Sequence, residues 1–213
     1  MKHVREDEAS TGAEAIVPAV RKSRRPDAEV RILKAATSLF ALEGFARVTV
    51  PAVAAKAKVG LNTLYQRYPS KEALGNAVYR RAMQSWADET LENWPEEATP
   101  EEEFAIYWER LSAFAARERD MALLNERQDP GHDLDAESEA LHALLNSRSA
   151  EILQRWTGGG LSLEVMQALV HGTFHRFLEL DVPEARRAEL LREARPAIWA
   201  ALTVHLNAPA RKA

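Results

Sequence analysis

The sequence predicts an all-α fold of roughly nine helices, and three observations carry that expectation. Apolar residues recur at i, i+3, i+4 and i+7 in most segments, whereas no stretch alternates convincingly between apolar and polar residues. Good helix starters (Asp27, Thr49, Ser70, Thr99 and Ser162) precede the periodic segments, and Gly44 and Gly158-Gly159-Gly160 interrupt them. Two short apolar stripes, Val50, Val53, Ala54, Ala57 and then Leu61, Leu64, Tyr65, Tyr68, flank the turn-like tripeptide Lys58-Val59-Gly60.

Taken in order, residues 1–23 have no period and read as a disordered arm, and Arg21, Lys22, Arg24 and Arg25 form a basic cluster just before the first helix. Such a cluster is either a solvated tail or an arm for phosphates and a minor groove. Pro26 suits a helix's first turn and Asp27 its positive end. That helix runs to about Glu43 and presents Ile32, Ala35, Ala36, Leu39 and Phe40 on one face, with Phe45 and Val48 closing the same small core. Thr49 caps the second helix, where Pro51 is tolerated in the first turn. Gly60 is expected to supply the backbone freedom of the turn. On the third helix Tyr68 is assigned to the core, while Asn62, Thr63, Gln66 and Arg67 form an exposed polar face. Two short helices, a tight turn and a free face able to bond base edges or phosphates describe a helix-turn-helix.

Ser70 caps a fourth helix reaching about Trp94 and carrying Leu74, Val78, Ala82 and Trp86, so it links this module to the rest. Lys71 sits in its first turn, where free N–H groups already favour a phosphate. Thr99-Pro100-Glu101-Glu102 then opens a helix with a capping-box pattern, burying Phe104, Trp108, Leu111 and Ala115. A short helical segment spans about 119–128, and Asp129-Pro130-Gly131 is a turn. Residues 134–156 form a helix stopped by the glycine triplet, and Ser162 caps another through about Leu180. The last starts near Pro183 and carries Leu190, Leu191, Ala194, Ile198, Ala201, Leu202 and His205.

The net charge of −4 is mild only in total. Residues 1–20 hold two basic and four acidic side chains, residues 21–81 thirteen and four, and residues 82–213 thirteen and twenty-four. A module of net charge +9 therefore precedes a body of −11, the asymmetry expected when one end meets a polyanion. Lys56 and Lys58 lie in the basic segment, where they add to nonspecific attraction for DNA. The absence of cysteine excludes disulfides, thiolate metal sites and cysteine nucleophiles. No apolar run is long enough to span a bilayer, and no secretory h-region is visible, so a cytoplasmic protein without membrane contact is expected.

Other chemistry finds little support. His171 and His175 stand four apart in HGTFH, a chelating spacing, but no third ligand is evident and no metal site is expected. The glycine triplet has no preceding strand or following lysine, and no nucleophile motif occurs. Neither an enzyme nor a bound cofactor is expected.

Residues 30–74 resemble the DNA-binding domain of TetR-family transcriptional regulators. The resemblance rests on ILKAATSLFALEGF, on the Thr49-Val50 pair that opens the second helix, and on TLYQRYPSKEAL. It implies a helix-turn-helix domain over 24–74 and a variable ligand-binding and dimerisation domain over 75–213. It also implies a homodimer, a palindromic DNA operator, and a small-molecule effector that most often releases a repressor. Thr49, Thr63, Tyr65 and Lys71 match positions that usually touch the phosphate backbone, whereas Asn62, Gln66 and Arg67 occupy the variable base-reading face. Leu61 is apolar where an exposed residue is usual and suits a thymine methyl. Two residues depart from the pattern: Lys58 stands where a turn glycine is common, and Gly60 where a capping Ser or Thr is common. The glycine is read as displaced by two positions.

In the second domain Trp86, Phe104, Tyr107, Trp108, Phe114, Trp156, His171, Phe174 and His175 are candidates for lining an effector pocket, and each is equally a core residue. Phe177, Leu191, Ile198, Trp199 and Leu202 are candidates for a four-helix dimer seam. A rival reading remains: a small-molecule-binding or scaffold protein whose helix-turn-helix no longer serves DNA.

Overall fold

A computed structural model describes residues 27–126, 131–204 and 206. The arm over 1–23 with its basic cluster, Pro26, most of the turn at Asp129 and Pro130, and His205 lie outside the described residues. Among those described there are nine helices and no strand. Asp27 precedes α1 (Ala28–Glu43), which Gly44 stops at φ 83°. A 3-10 turn over Phe45–Arg47 leads to α2 (Val50–Ala57), capped by Thr49 Oγ1 accepting from the Ala52 amide at 3.3 Å. Then come α3 (Leu61–Arg67) and α4 (Lys71–Thr90), the latter capped by Ser70 Oγ accepting from the Ala73 amide at 3.0 Å. The capping box at Thr99 and Glu102 is formed in full and opens α5 (Pro100–Arg117). α6 (Arg119–Asn125) and α7 (Ala136–Thr157) follow.

The helix capped by Ser162, α8, is not uniform. It begins as Leu163–Gln167, takes one π turn over Ala168–Gly172 and resumes over Thr173–Glu179. Local widening of this kind recurs at functional sites, and no sequence period announces it. α9 (Glu184–Thr203) carries Pro196 in its interior, which removes one helical hydrogen bond.

Two apolar cores result. Ile32, Ala36, Phe40, Val53, Leu64, Tyr68, Leu74 and Val78 close the first across α1 to α4. The second gathers Trp86, Phe104, Trp108, Leu111, Phe114, Trp156, Met166, Phe174 and Leu202 from α4 to α9. α4 contributes to both, so its position is shared between them. The loop before α7 fastens onto it: the Asn76 amide donates to the Asp133 carbonyl at 3.1 Å and accepts from the Asp135 amide at 3.0 Å. Arg80 donates to Asp135 at 2.7 Å and to Ser138 at 2.8 Å; the first of these bonds, with that from the Ser138 amide at 2.9 Å, holds the Asp135 carboxyl down at a pKa of about 2.

Helix ends are closed by arginines that the periodicity did not single out. Arg110 donates to the carbonyls of Thr90, Glu92 and Asn93, which ends α4 earlier than the expected Trp94, where Asn93 turns the chain at φ 49°. Arg187, only 5% exposed, donates to the carbonyls of Phe177, Leu180 and Val182 and pairs with Glu184, locking the α8–α9 corner. A buried guanidinium fits there because exposed C-terminal carbonyls supply its acceptors.

Candidate functional site

The turn between α2 and α3 departs from the expectation in a specific way. Lys58 occupies the left-handed region at φ 55°, ψ 49°, whereas Gly60 is extended at φ −69°, ψ 146°, a conformation open to any residue. The glycine has therefore not moved to serve the turn; a lysine adopts the left-handed position. Two hydrogen bonds hold it there, since Arg31 Nη1 donates to the carbonyls of Ala57 and Lys58 at 2.9 Å each. Gly60 begins α3 without a side-chain cap, and a Cβ there would meet nothing closer than Thr63 Oγ1 at 3.7 Å. Combining Lys58→Gly with Gly60→Ser is expected to raise stability by about 1 kcal/mol, from relieved backbone strain and a new cap. A melting temperature higher by about 2–4 °C checks this.

α3 carries the expected free face. Leu64 is its buried residue, and Leu61, Asn62, Tyr65 and Gln66 are exposed together, with Leu61 at 40% and Tyr65 at 44%. Thr63 is half-buried, and the exposed Thr49 is occupied in capping α2. Lys58 adds an exposed cation beside the turn. Lys71 lies half-buried at the start of α4, its ammonium 4.3 Å from the Phe45 ring centroid and donating to the Ala46 carbonyl at 3.3 Å. Its charge is thus fixed beside the α4 N-terminus, where backbone N–H groups and helix dipole also attract an anion.

Arg67 stands apart from the expected base-reading face. Its guanidinium turns toward the start of α1, donating to Glu29 at 3.1 Å and to Asp27 at 3.2 Å. Tyr68 packs in the first core as expected; burial foremost, then the charge of Glu29, raises its phenol pKa.

A cavity of about 10 Å³, enough for roughly one water, is lined by Leu91, Tyr107, Ser149, Ile152, Leu153, Trp156 and His171. It brings together Tyr107, Trp156 and His171 of the nine expected pocket residues. Trp86, Phe104, Trp108, Phe114 and Phe174 are buried in close packing instead, and the Trp108 indole donates to the Leu191 carbonyl at 2.8 Å. His175 faces Glu179 at 3.4 Å and does not converge with His171. Among the described residues no three His, Asp or Glu side chains gather as metal ligands. A larger cavity, about 30 Å³, lies where the two cores meet, lined by Phe40, Phe45, Gly75, Val78, Tyr79, Leu124 and His132. Gly75 allows this contact, because a Cβ would sit 2.7 Å from the Phe45 ring and 2.9 Å from His132.

Beside the smaller cavity is a buried polar group that composition did not reveal. Glu126, its side chain 2% exposed, approaches His171 Nδ1 at 3.1 Å, and the Tyr107 hydroxyl lies 3.4 Å from His171 Nε2. Burial drives the Tyr107 phenol well above its ordinary range, and Glu126 adds to the rise. For His171 burial acts to lower the pKa, but the charge and hydrogen bond of Glu126 outweigh it, and the net shift is upward. Glu103 is a second hidden acid, 6% exposed, accepting from the indoles of Trp94 and Trp156 at 3.1 Å each and from Arg155 at 3.2 Å. Its place in an acidic first turn disguised it as a helix-dipole residue.

The expected seam residues Leu191, Ile198 and Leu202 are buried within the chain's own second core. α9 therefore turns this face inward, away from any partner. Trp199 is half-buried against Phe104, with ring centroids 5.4 Å apart, and Phe177 is half-buried on α8.

Comparison with known proteins agrees with this architecture. Residues 32–78 match the N-terminal domain of bacterial regulatory proteins, tetR family. No curated protein matches the sequence. Among solved structures, the chain is similar to a tetR-family transcription regulator from Shewanella sp. PV-4, at 19% identity and TM-score 0.65, covering 84% of this chain and 97% of that one. It is similar to the TetR-family regulator PfmR from Thermus thermophilus, at 18% identity and TM-score 0.60, covering 79% and 94%. It also resembles FadR from Bacillus subtilis in complex with stearoyl-CoA, at 18% identity and TM-score 0.57, covering 81% and 98%. At these identities the structures speak for the fold, and the N-terminal match speaks for the sequence. With its helix-turn-helix over α2 and α3 and its basic N-terminal module, the chain carries over residues 32–78 a domain that matches bacterial regulatory proteins of the tetR family, and its overall fold is similar to that of solved tetR-family regulators.

Proposed function

We propose that this protein is a homodimeric, effector-released repressor that places α3 of each subunit in successive major grooves of a palindromic operator. The observation that carries the reading is the exposed face Leu61, Asn62, Tyr65 and Gln66, set in a module of net charge +9. Asn62 and Gln66 suit base edges, Leu61 a thymine methyl, and Tyr65, Thr63, Thr49, Lys58 and Lys71 the phosphates. In this reading residues 24–74 dock on DNA and residues 75–213 respond and dimerise, a division that the presence of two cores supports. Since α4 belongs to both cores, a molecule entering between α5, α7 and α8 alters the spacing of the two recognition helices by moving α4. That a structural relative is solved with stearoyl-CoA supports a small-molecule effector.

The purified protein is expected to bind a palindrome near its own promoter, with log affinity falling steeply against log salt. Lys71→Ala is expected to flatten that slope by about 0.9 while helicity is unchanged. Titration of labelled promoter-proximal duplexes checks this. Salt-insensitive binding, or none, would return the chain to the scaffold reading.

The dimer surface is assigned to the outward sides of α8 and α9. Val165, Ala168 and Gly172 are exposed on one, and Ala197, Ala200 and Val204 on the other, each set at i, i+3, i+7. Nothing lies within 4 Å of a Cβ built on Gly172. Gly172→Arg with Ala200→Glu is expected to give monomers in light-scattering measurements, because long charged side chains would be buried in a close helix contact. An unchanged mass would move the interface elsewhere.

A further inference from the structure

Arg67 ends the recognition helix, yet two carboxylates of this same chain already hold it. Nη1 donates to Glu29 Oε2 at 3.1 Å and Nη2 to Asp27 Oδ1 at 3.2 Å, so each terminal nitrogen of the fork has its own anionic oxygen. A backbone phosphate offers a guanidinium the same arrangement. Asp27 stands at the N-cap of α1 but makes no side-chain cap hydrogen bond. Its carboxylate has left the role that position favours, for the arginine. Glu29 is tied on its other side to the Tyr68 phenol, which its charge and hydrogen bond help to raise in pKa.

We infer that Asp27 and Glu29 are specificity-determining residues of the DNA interface, acting as internal phosphate surrogates that keep Arg67 off the backbone of unmatched DNA. This rests on the DNA-binding reading above. The three side chains are 62%, 50% and 36% exposed, so solvent screens the pairs and each contributes little by itself. They act as a brake that a phosphate can displace. On a matched site α3 seats deeply and a phosphate takes Arg67 from the acids. On unmatched sequence α3 rides further out and the acids keep Arg67. The pair therefore subtracts most from nonspecific affinity, the quantity against which a regulator must compete across a genome.

The test uses the full chain, a labelled random-sequence duplex of about 30 base pairs, and fluorescence anisotropy from about 50 to about 200 mM salt. Asp27→Asn with Glu29→Gln is expected to tighten binding about fivefold, and to steepen the salt slope by about one as Arg67 gains a phosphate. In an Arg67→Gln background the same two changes should shift affinity less than about twofold and leave the slope alone. An equal gain in both backgrounds would show a general charge effect and overturn the inference. Weaker binding by the Asp27→Asn, Glu29→Gln protein would also overturn it, making the acids positioners of Arg67. If wild type and every variant fail to bind any duplex, the DNA-binding reading itself falls. All three positions are surface ones, and circular dichroism confirms that each variant is folded.

Discussion

Glu103→Leu is expected to destabilise the protein by about 3 kcal/mol, lowering the melting temperature by roughly 6–12 °C. The carboxylate is the acceptor for the Trp156 indole, itself 1% exposed, and for the Trp94 indole. Leucine fills a similar volume but leaves the buried Trp156 N–H without a partner, which forfeits the full desolvation cost of that group. Arg155 is exposed and returns to water at little cost. Glu103→Gln keeps one acceptor oxygen, so its loss should be about 1 kcal/mol. Thermal melts followed by far-ultraviolet circular dichroism separate the two variants. Equal losses for Leu and Gln would mean that charge, and not the indole acceptors, is what the site requires. Because Trp156 lines the small cavity beside Tyr107 and His171, the same change is expected to alter how that region admits a small molecule.

The second large effect depends on pH. The folded-state pKa of His171 is raised above its ordinary 6.5 by Glu126, despite burial acting the other way. A raised histidine contributes stability that is fully present below the unfolded value and is lost as pH rises through the folded one. Removing the acid with Glu126→Gln should therefore destabilise most below about pH 6. There the cost is about 3 kcal/mol, at the low end for a broken buried pair because the His171 side chain is 22% exposed. The gap between wild type and variant should narrow steadily as pH rises to about 8. Melting temperatures of both proteins across that range provide the check, and a gap independent of pH would remove His171 from the account. His171→Asn should abolish the same slope. His171 lies in the π turn, and its ring meets Glu126 across the bundle at 3.1 Å.

The helix-turn-helix was legible because it is local. Its stripes, its caps at Thr49 and Ser70, and the exposure of Asn62, Tyr65 and Gln66 follow from residue spacing within one or two turns. The left-handed residue was misplaced because glycine is the default for that conformation, while the two Arg31 hydrogen bonds that hold Lys58 come from 26 and 27 residues away. Arg67 is exposed as its spacing suggests, but its partners were hidden for the same reason: the carboxylates it bonds stand 38 and 40 residues away. The aromatic residues of the second core could not be sorted, since a buried aromatic at helical spacing looks the same whether it faces a cavity or a neighbour. Packing put Tyr107 and Trp156 at a cavity and closed Phe104, Trp108 and Phe114 into the core.

The sequence by itself determined the helical class, the caps that open most helices, the split into a basic module and an acidic body, and the docking motif with its exposed face. These depend on periodicity, capping chemistry and composition, all of which act over a few residues or sum over many. Only the tertiary structure decided which acids are buried, which arginines close helix ends, and which cations remain free for DNA. Most of those outcomes pair a polar group with a partner outside its own helix, and such a group shows no partner until folding removes it from water.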